Sequence, residues 1–446
     1  MMVKEVVDKL AALVHRINVE AAQAEADGVR HYGIKDDFLT FEEQGLGGLI
    51  LTNEDAKEYR RCLDGMHEIA AGKAERISRP AVASLIQRAI LKALDVTRTA
   101  AERDFSKRLA TALAELRQEL GAKPVLWEVH LSAELMPEKL PYTFGRCEFY
   151  LGDSTSVPIL LQRVGRSKAS GKEDATSREI SQFVREAVNE TIGGKIVIST
   201  TVHAVDPVAA QIQGQGLIRQ TVDTLSFFAN LGGQPRCQIL LPEDPRPAMA
   251  KTFLFAEETG ESHASSAWVG PIAPFSFSGP QLHAAGLDRT SQMLKKEAPS
   301  EFELRILSAL QWAGKASVEP RREEAFLLFA VSLESLLLAR DDKSEIAETL
   351  ALRLAHLISA PGTRLMVYRD MKRLYRIRSK IVHSGSFDVG EDQLSEIRYY
   401  TRFALLTMLL SPQVSELDTD AELTEWFRSR LLNLQKDDVS EKPSKH

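Results

Sequence analysis

The chain has 446 residues, 44% of them apolar and 26% charged, with a formal net charge of −6. This is the balance of a globular protein of two or three domains with a substantial core, and it excludes a chain that binds polyanions over its whole surface. Cys62, Cys147 and Cys237 stand far apart without a C-x-x-C pair, which excludes a disulfide framework or a Cys-rich zinc site and fits a reducing, cytoplasmic setting.

The opening stretch, MMVKEVVDKLAALVHR, has no uninterrupted apolar core and no small-residue cleavage site, and no run of eighteen apolar residues occurs. Neither a signal peptide nor a membrane span is expected. Residues 1–123 read as a helical region, with Val3, Val6, Val7, Leu10 and Leu13 at helical spacing. Asp27 to Thr52 reads as Gly-rich and irregular. Helix resumes over Asn53 to Ala71, with Asn53 as N-cap and Glu54 and Asp55 in the first turn. Ser78-Arg79-Pro80 opens a long helical run that Gly121 ends.

Residues 124–279 change texture and read as an α+β domain. Val125 to Leu131, Phe144 to Leu151 and Val157 to Val164 are strand candidates, and Lys195 to Val205 is the best strand in the chain. Between them a polar stretch contains Gly165 to Lys172, which fails as a phosphate loop because five residues separate its glycines and Glu173 stands where a Ser or Thr is needed. Thr176-Ser-Arg-Glu179 has the capping-box pattern of a helix running to Ile192. Pro207 opens a helix to Phe228, and short apolar runs at Cys237–Leu241, Thr252–Phe255 and Trp268 to Phe277 read as further strands.

Residues 280–434 read as a helical bundle. An amphipathic run spans Phe302 to Trp312, Pro320 sits at the first turn of the next helix, and Ser344 caps one running to Ile358. A basic helix and a closing helix over Asp392 to Leu410 follow, then a short helix from Asp420 to Leu434. Residues 435–446 are polar and read as a disordered tail. The fold class is thus α+β, multidomain and mostly helical.

The chemistry concentrates in the basic helix. From Arg364 to Lys380 there are seven basic residues and one acid, Asp370. Arg378 and His383 bracket four residues, an R-x4-H spacing. A His moves protons near pH 7 and an Arg holds charge on a phosphate, so the pair suits phosphodiester chemistry. The competing reading is a surface Arg plus a helix-terminal His. Gly385 suits a helix C-cap, which puts His383 in the last turn. Arg369, Lys372, Arg373, Arg376 and Lys380 are RNA-binding candidates, each weighed against plain solvation of the outer helix face. Glu334, inside the apolar run LLFAVSLESLLL, needs a partner. Arg378 and Arg353 are equal candidates for it.

Three stretches carry a resemblance. Phe326 to Leu338, with Glu334 and Ser335 at its centre, Leu350 to Ile358, and the signature Y-x-x-R-S-x-I-V-H-x-G from Tyr375 to Gly385 resemble the Apea-like branch of the HEPN superfamily. The likeness covers roughly residues 301–412. It implies a bundle of four or five helices that forms a homodimer with two R-x4-H motifs facing each other, and a metal-independent ribonuclease of phage defence or toxin type. It assigns catalysis to Arg378 and His383, with Glu334 and Ser379 supporting. One departure stands out, because Ser379 occupies a position where active nucleases of the family often have Asn, Asp or His.

No H-E-x-x-H or G-x-S-x-G motif occurs, and the histidines form no metal-ligand spacing. No metal and no cofactor are expected. The expected partners are RNA, a second copy of the chain, and a phage-derived trigger or an antitoxin acting through residues 1–279. A non-catalytic RNA- or nucleotide-binding module using the same basic helix is the alternative.

Overall fold

The computed structural model describes residues 2–26, 38–43, 47–71, 76–94, 102–136, 138–153, 156–158, 182, 185–186, 188–190, 192–232, 236–246, 248–255, 262–269, 271–272, 276–339, 345–384, 388–414 and 417–432. The chain divides into two compact units, one formed by residues 1–129 with 201–216, the other by 130–200 with 217–446. The segment 124–279 is therefore shared between them. The protein is mostly helical, with a small four-stranded antiparallel sheet.

The first unit holds helices α1 (Met2–Ala26), α2 (Asn53–Ala71), α3 (Arg79–Leu94) and α4 (Glu102–Leu120). Leu10 and Leu13 of α1, Tyr59 and Met66 of α2, Val82 and Ile86 of α3, and Leu116 of α4 bury their side chains in one core. Each fully buried side chain of this size contributes about 1.5–3 kcal/mol. Ser78 begins α3 by accepting from the Ala81 amide at 3.2 Å, while its hydroxyl donates to Asp206 at 2.9 Å. Asp206 in turn accepts from the Val208 and Ala209 amides and so caps α5 (Pro207–Ala229). Two helix starts thus share one polar pair.

Between α1 and α2 lies an antiparallel hairpin of β1 (Phe38–Glu43) and β2 (Gly47–Thr52), pairing Phe38 with Thr52 and Phe41 with Leu49. This corrects the reading as irregular over Phe38–Glu43 and Gly47–Thr52, while residues 27–37 of that stretch lie outside the described residues. Each strand is only six residues long and β2 begins Gly-Gly, so glycine masked an alternation too short to stand out.

The four-stranded sheet contains β3 (Val125–Ala133), β4 (Tyr142–Phe144), β5 (Cys147–Leu151) and β6 (Ile196–Ala204), in the order β3-β6-β5-β4. The single strand expected over Phe144 to Leu151 is a hairpin's second arm, turning at the left-handed Gly145. Cys237 to Leu241 makes isolated bridges to Ile272 and Glu134 in place of a strand. A separate hairpin pairs β7 (Ala248–Phe255) with β8 (Ser262–Val269). Val157 and Pro158 are helical where a strand was expected. The rest of that candidate strand, the Gly165 to Lys172 stretch, Ser344, Gly385 and the tail lie outside the described residues.

The second unit's helices are α6 (Pro280–Ala284), α7 (Leu287–Lys295), α8 (Glu301–Val318), α9 (Arg322–Leu337), α10 (Ile346–Ile358), α11 (Arg364–Ser384), α12 (Glu391–Leu410) and α13 (Asp420–Leu431). Capping boxes start α8 at Ser300 with Glu303 and α13 at Thr419 with Glu422. Pro320 precedes the N-cap Arg321 of α9 and so lies two residues before the helix's first residue, not in its first turn. Phe302, Phe326, Phe329, Leu333, Leu350, Leu374 and Ile397 form a buried core across five of these helices. Ser332 donates to the Ala309 carbonyl at 2.7 Å and fixes α9 on α8. At Gly314 of α8 a Cβ would stand 1.7 Å from the Asp223 carbonyl of α5, so only glycine permits that crossing. No helix among the described residues is long and apolar enough to cross a membrane.

Candidate functional site

The basic helix α11 runs unbroken through the R-x4-H motif. Val367, Met371, Leu374, Ile377 and Ile381 are buried, spaced three or four apart as a bundle-facing stripe requires. Arg378 lies on this inward side. Its Nη2 donates to Glu334 Oε2 of α9 at 3.3 Å, and its Nε stands 3.0 Å from Oε1. The second approach is a charge contact without hydrogen-bond alignment, since neither Nε nor Oε1 has an aligned partner. Both side chains are only 20–26% exposed, where the pair's attraction is weakly screened.

Tyr375 completes the group. The Arg378 guanidinium lies 5.6 Å from its ring centroid, within cation–π range. Burial, and then the Glu334 charge, raises the Tyr375 phenol above its ordinary value. Arg353 is engaged elsewhere, donating to the Leu337 carbonyl at 2.6 Å and covering the Phe427 ring. Of the two candidates for Glu334, the partner is Arg378.

His383 is in the last turn of α11 and exposed, with no hydrogen-bond partner among the described residues. Five residues along an α-helix turn the side chain by about 140°. Arg378 therefore faces Glu334 inside the bundle while the exposed His383 faces outward, away from it. Ser379 is half-buried.

The remaining basic residues separate into two groups. Lys372 is bound to Glu348 at 2.7 Å and to the Tyr368 hydroxyl at 3.2 Å, and these bonds hold its ammonium above and the Glu348 carboxyl below their ordinary values. Arg373 holds both oxygens of Glu396 at 2.5 Å, which raises the guanidinium. Arg369 and Arg376 are exposed and have no ion pair among the described residues, and Lys380 is exposed. Arg369, Arg376 and His383 are seven residues apart along the helix, so they share a face. Val382 of the same helix and Tyr399 and Phe403 of α12 are exposed apolar side chains, the last two stacked at 5.9 Å.

The reading from sequence did not single out Arg398 and Arg402 of α12. Arg402 donates to the Asn230 carbonyl at 2.6 Å, and burial with the Arg398 charge pushes it down to about 10. The only signal in the sequence was an i, i+4 arginine pair with no acid three or four residues from either arginine. Among the described residues no three His, Cys, Asp or Glu side chains group as metal ligands.

No protein-family model, no curated protein and no solved structure matches the chain.

Proposed function

We propose that the C-terminal bundle is a HEPN-type endoribonuclease that acts without a metal ion as a homodimer, in a phage-defence or toxin-like effector. The observation that carries this reading is the Glu334–Arg378 pair, which holds a guanidinium in place on the same helix that presents a free imidazole five residues later.

RNA brings its own nucleophile, the 2′-hydroxyl. His383 takes that proton, and the hydroxyl oxygen attacks the adjacent phosphorus. Arg378 balances the charge of the pentavalent phosphate, and the departing 5′-oxygen is protonated by the partner's His383. The products are a 2′,3′-cyclic phosphate and a 5′-hydroxyl. The outward turn of His383 from Arg378 makes a second copy necessary, because only two helices side by side bring both groups to one phosphate. Exposed Val382, Tyr399 and Phe403 supply apolar area for that contact. Arg369 and Arg376 extend it with positive charge for RNA phosphates. Residues 1–279 then serve to sense a trigger or restrain the nuclease.

A second reading has its own observation. Arg378 is already charge-paired with Glu334, and Ser379 stands where active nucleases often have a stronger polar group. The same helix then binds RNA or a nucleotide without cutting it. Purified protein incubated with labelled RNA in EDTA, wild type against His383→Ala, separates the two. Cleavage lost in a folded variant supports the nuclease, and equal cleavage by both removes His383 from the mechanism. Because a trigger can be required, phage protection or toxicity on overexpression is compared in the same pair.

A further inference from the structure

Three basic side chains from three helices gather at the end of α11 opposite to the R-x4-H motif. His356 is in the last turn of α10, Arg364 opens α11, and Arg430 is in the last turn of α13. Arg430 reaches back to α10. Its Nη1 lies 3.5 Å from the His356 carbonyl, its Nη2 donates to Gln413 Oε1 at 2.7 Å, and its guanidinium covers the Trp426 ring at 4.3 Å.

Two polar nitrogens in this cluster are unsatisfied. His356 Nδ1 and Arg364 Nε are buried atoms with no hydrogen-bond partner. Among the described residues, neither Arg364 nor Arg430 has a carboxylate partner. The groups feel one another. Burial lowers the His356 imidazole, and the charges of Arg364 and Arg430 push it the same way. Burial and the Arg364 charge likewise lower Arg430.

The helix start adds to the mismatch. The first turn of α11 carries no acid and begins with Arg364, a cation at the positive end of a helix dipole. Thr363, placed to cap that turn, gives its hydroxyl to the Ala360 carbonyl at 3.1 Å. The first amides of α11 receive no side-chain cap from it.

We propose that this cluster binds the phosphate group of a small ligand. A tetrahedral anion has acceptor oxygens for Arg364 Nε, for the Arg430 guanidinium, for a protonated His356 Nδ1 and for the amides at the start of α11. Arginines in a fork around phosphate, at a helix N-terminus, are a recurrent anion geometry. A carboxylate of the chain would neutralise the same groups permanently, and among the described residues none stands beside them. The site is separate from the proposed nuclease site. Arg364 and His383 lie roughly 28 Å apart along the axis at 1.5 Å per residue, so each proposal fails or stands without the other.

The full-length chain is titrated by calorimetry in chloride buffer at constant ionic strength with inorganic phosphate, with adenosine monophosphate, and with adenosine as the phosphate-free control. Saturable one-to-one binding of the phosphate-bearing probes, and none of adenosine, is the expected result. Tighter binding of the nucleotide marks a nucleotide phosphate as the ligand, and equal affinity marks free phosphate. Arg364→Gln and Arg430→Gln should each weaken binding by about tenfold or more, as expected for removal of a charge-assisted hydrogen bond. Absence of saturable binding, or unchanged affinity in both variants, overturns the proposal. Melting in phosphate-free buffer guards against a purely structural role. Arg364→Gln should melt at or above the wild-type temperature, because it removes a partly buried cation that has no carboxylate beside it, and a clear drop there would make Arg364 a structural residue and overturn the assignment.

Discussion

Glu334 and Arg378 are 44 residues apart in sequence and 3.0 Å apart in space. The pair joins the central helix of the bundle to the basic helix, and it decides which way Arg378 points. Removing one partner leaves the other charged, mostly buried and uncompensated. Glu334→Ala should therefore destabilise the protein by about 1–3 kcal/mol, less than for a fully buried pair because both side chains retain some solvent. In a double-mutant cycle the loss for Glu334→Ala with Arg378→Ala should be smaller than the sum of the two single losses. Denaturant unfolding of the four proteins measures it, and additive losses would show that the pair has no energetic coupling.

The catalytic proposal gives a different signature. His383 is exposed, so His383→Ala should leave the melting temperature close to wild type while lowering RNA cleavage by about 10²–10⁴. Arg378→Ala should lower both, because Arg378 also balances Glu334. Arg378→Lys should restore part of the stability and little of the activity, since a point charge lacks the two-pronged grip of a guanidinium. Cleavage rates and melting curves on the same preparations check the separation.

The two groups of basic residues should differ in RNA affinity. Arg376→Gln should reduce the slope of log affinity against log salt by roughly one for each phosphate it no longer neutralises. Lys372→Gln should change it less, because Glu348 already neutralises Lys372 at 2.7 Å. Filter binding across a salt series measures both slopes. Equal slopes in wild type and Arg376→Gln would assign Arg376 to solvation.

Asp223 makes stability depend on pH. It is 3% exposed, and burial pushes its carboxyl up to about 6, outweighing Lys315 at 3.7 Å and Arg219 at 4.0 Å. A folded-state value above the unfolded one means that the folded state holds the proton more tightly. The favourable contribution is then present at low pH and is lost as pH rises from about 4 through 6. Asp223→Asn should gain stability relative to wild type over that window, by about 3 kcal/mol for a displacement of about two pH units. Unfolding of both proteins at pH 4 and pH 7 tests it, and a difference that stays constant with pH would remove the titration.

Gly314→Ala should be among the most damaging single-methyl changes. Its Cβ would meet the Asp223 carbonyl at 1.7 Å, and that atom is backbone of a buried helix. Relief requires the helices to separate, so a cost of about 3 kcal/mol or more is expected, read as a large fall in melting temperature or soluble yield. A variant that melts within a few degrees of wild type would mean the crossing is looser than this.

Much of this molecule is local and was legible in the residues themselves. The helices over Asn53 to Ala71, Pro207 to Phe228 and the basic stretch to Ser384 follow from caps, prolines and apolar spacing, which act within one or two turns. The strand near Lys195 to Val205 was equally plain from its β-branched run. The hairpin at Phe38 to Thr52 was not, because short Gly-rich strands gain stability from pairing more than from propensity. The R-x4-H spacing marked Arg378 and His383, but only packing sends one toward Glu334 and the other outward, since 100° per residue sets their divergence and the bundle decides which face is buried. The same holds for His356, Arg364 and Arg430, scattered over 75 positions of sequence and brought together by three helix ends. Charge and hydrogen-bond capacity are written into each residue alone, whereas the partner that satisfies them is chosen by packing between distant segments.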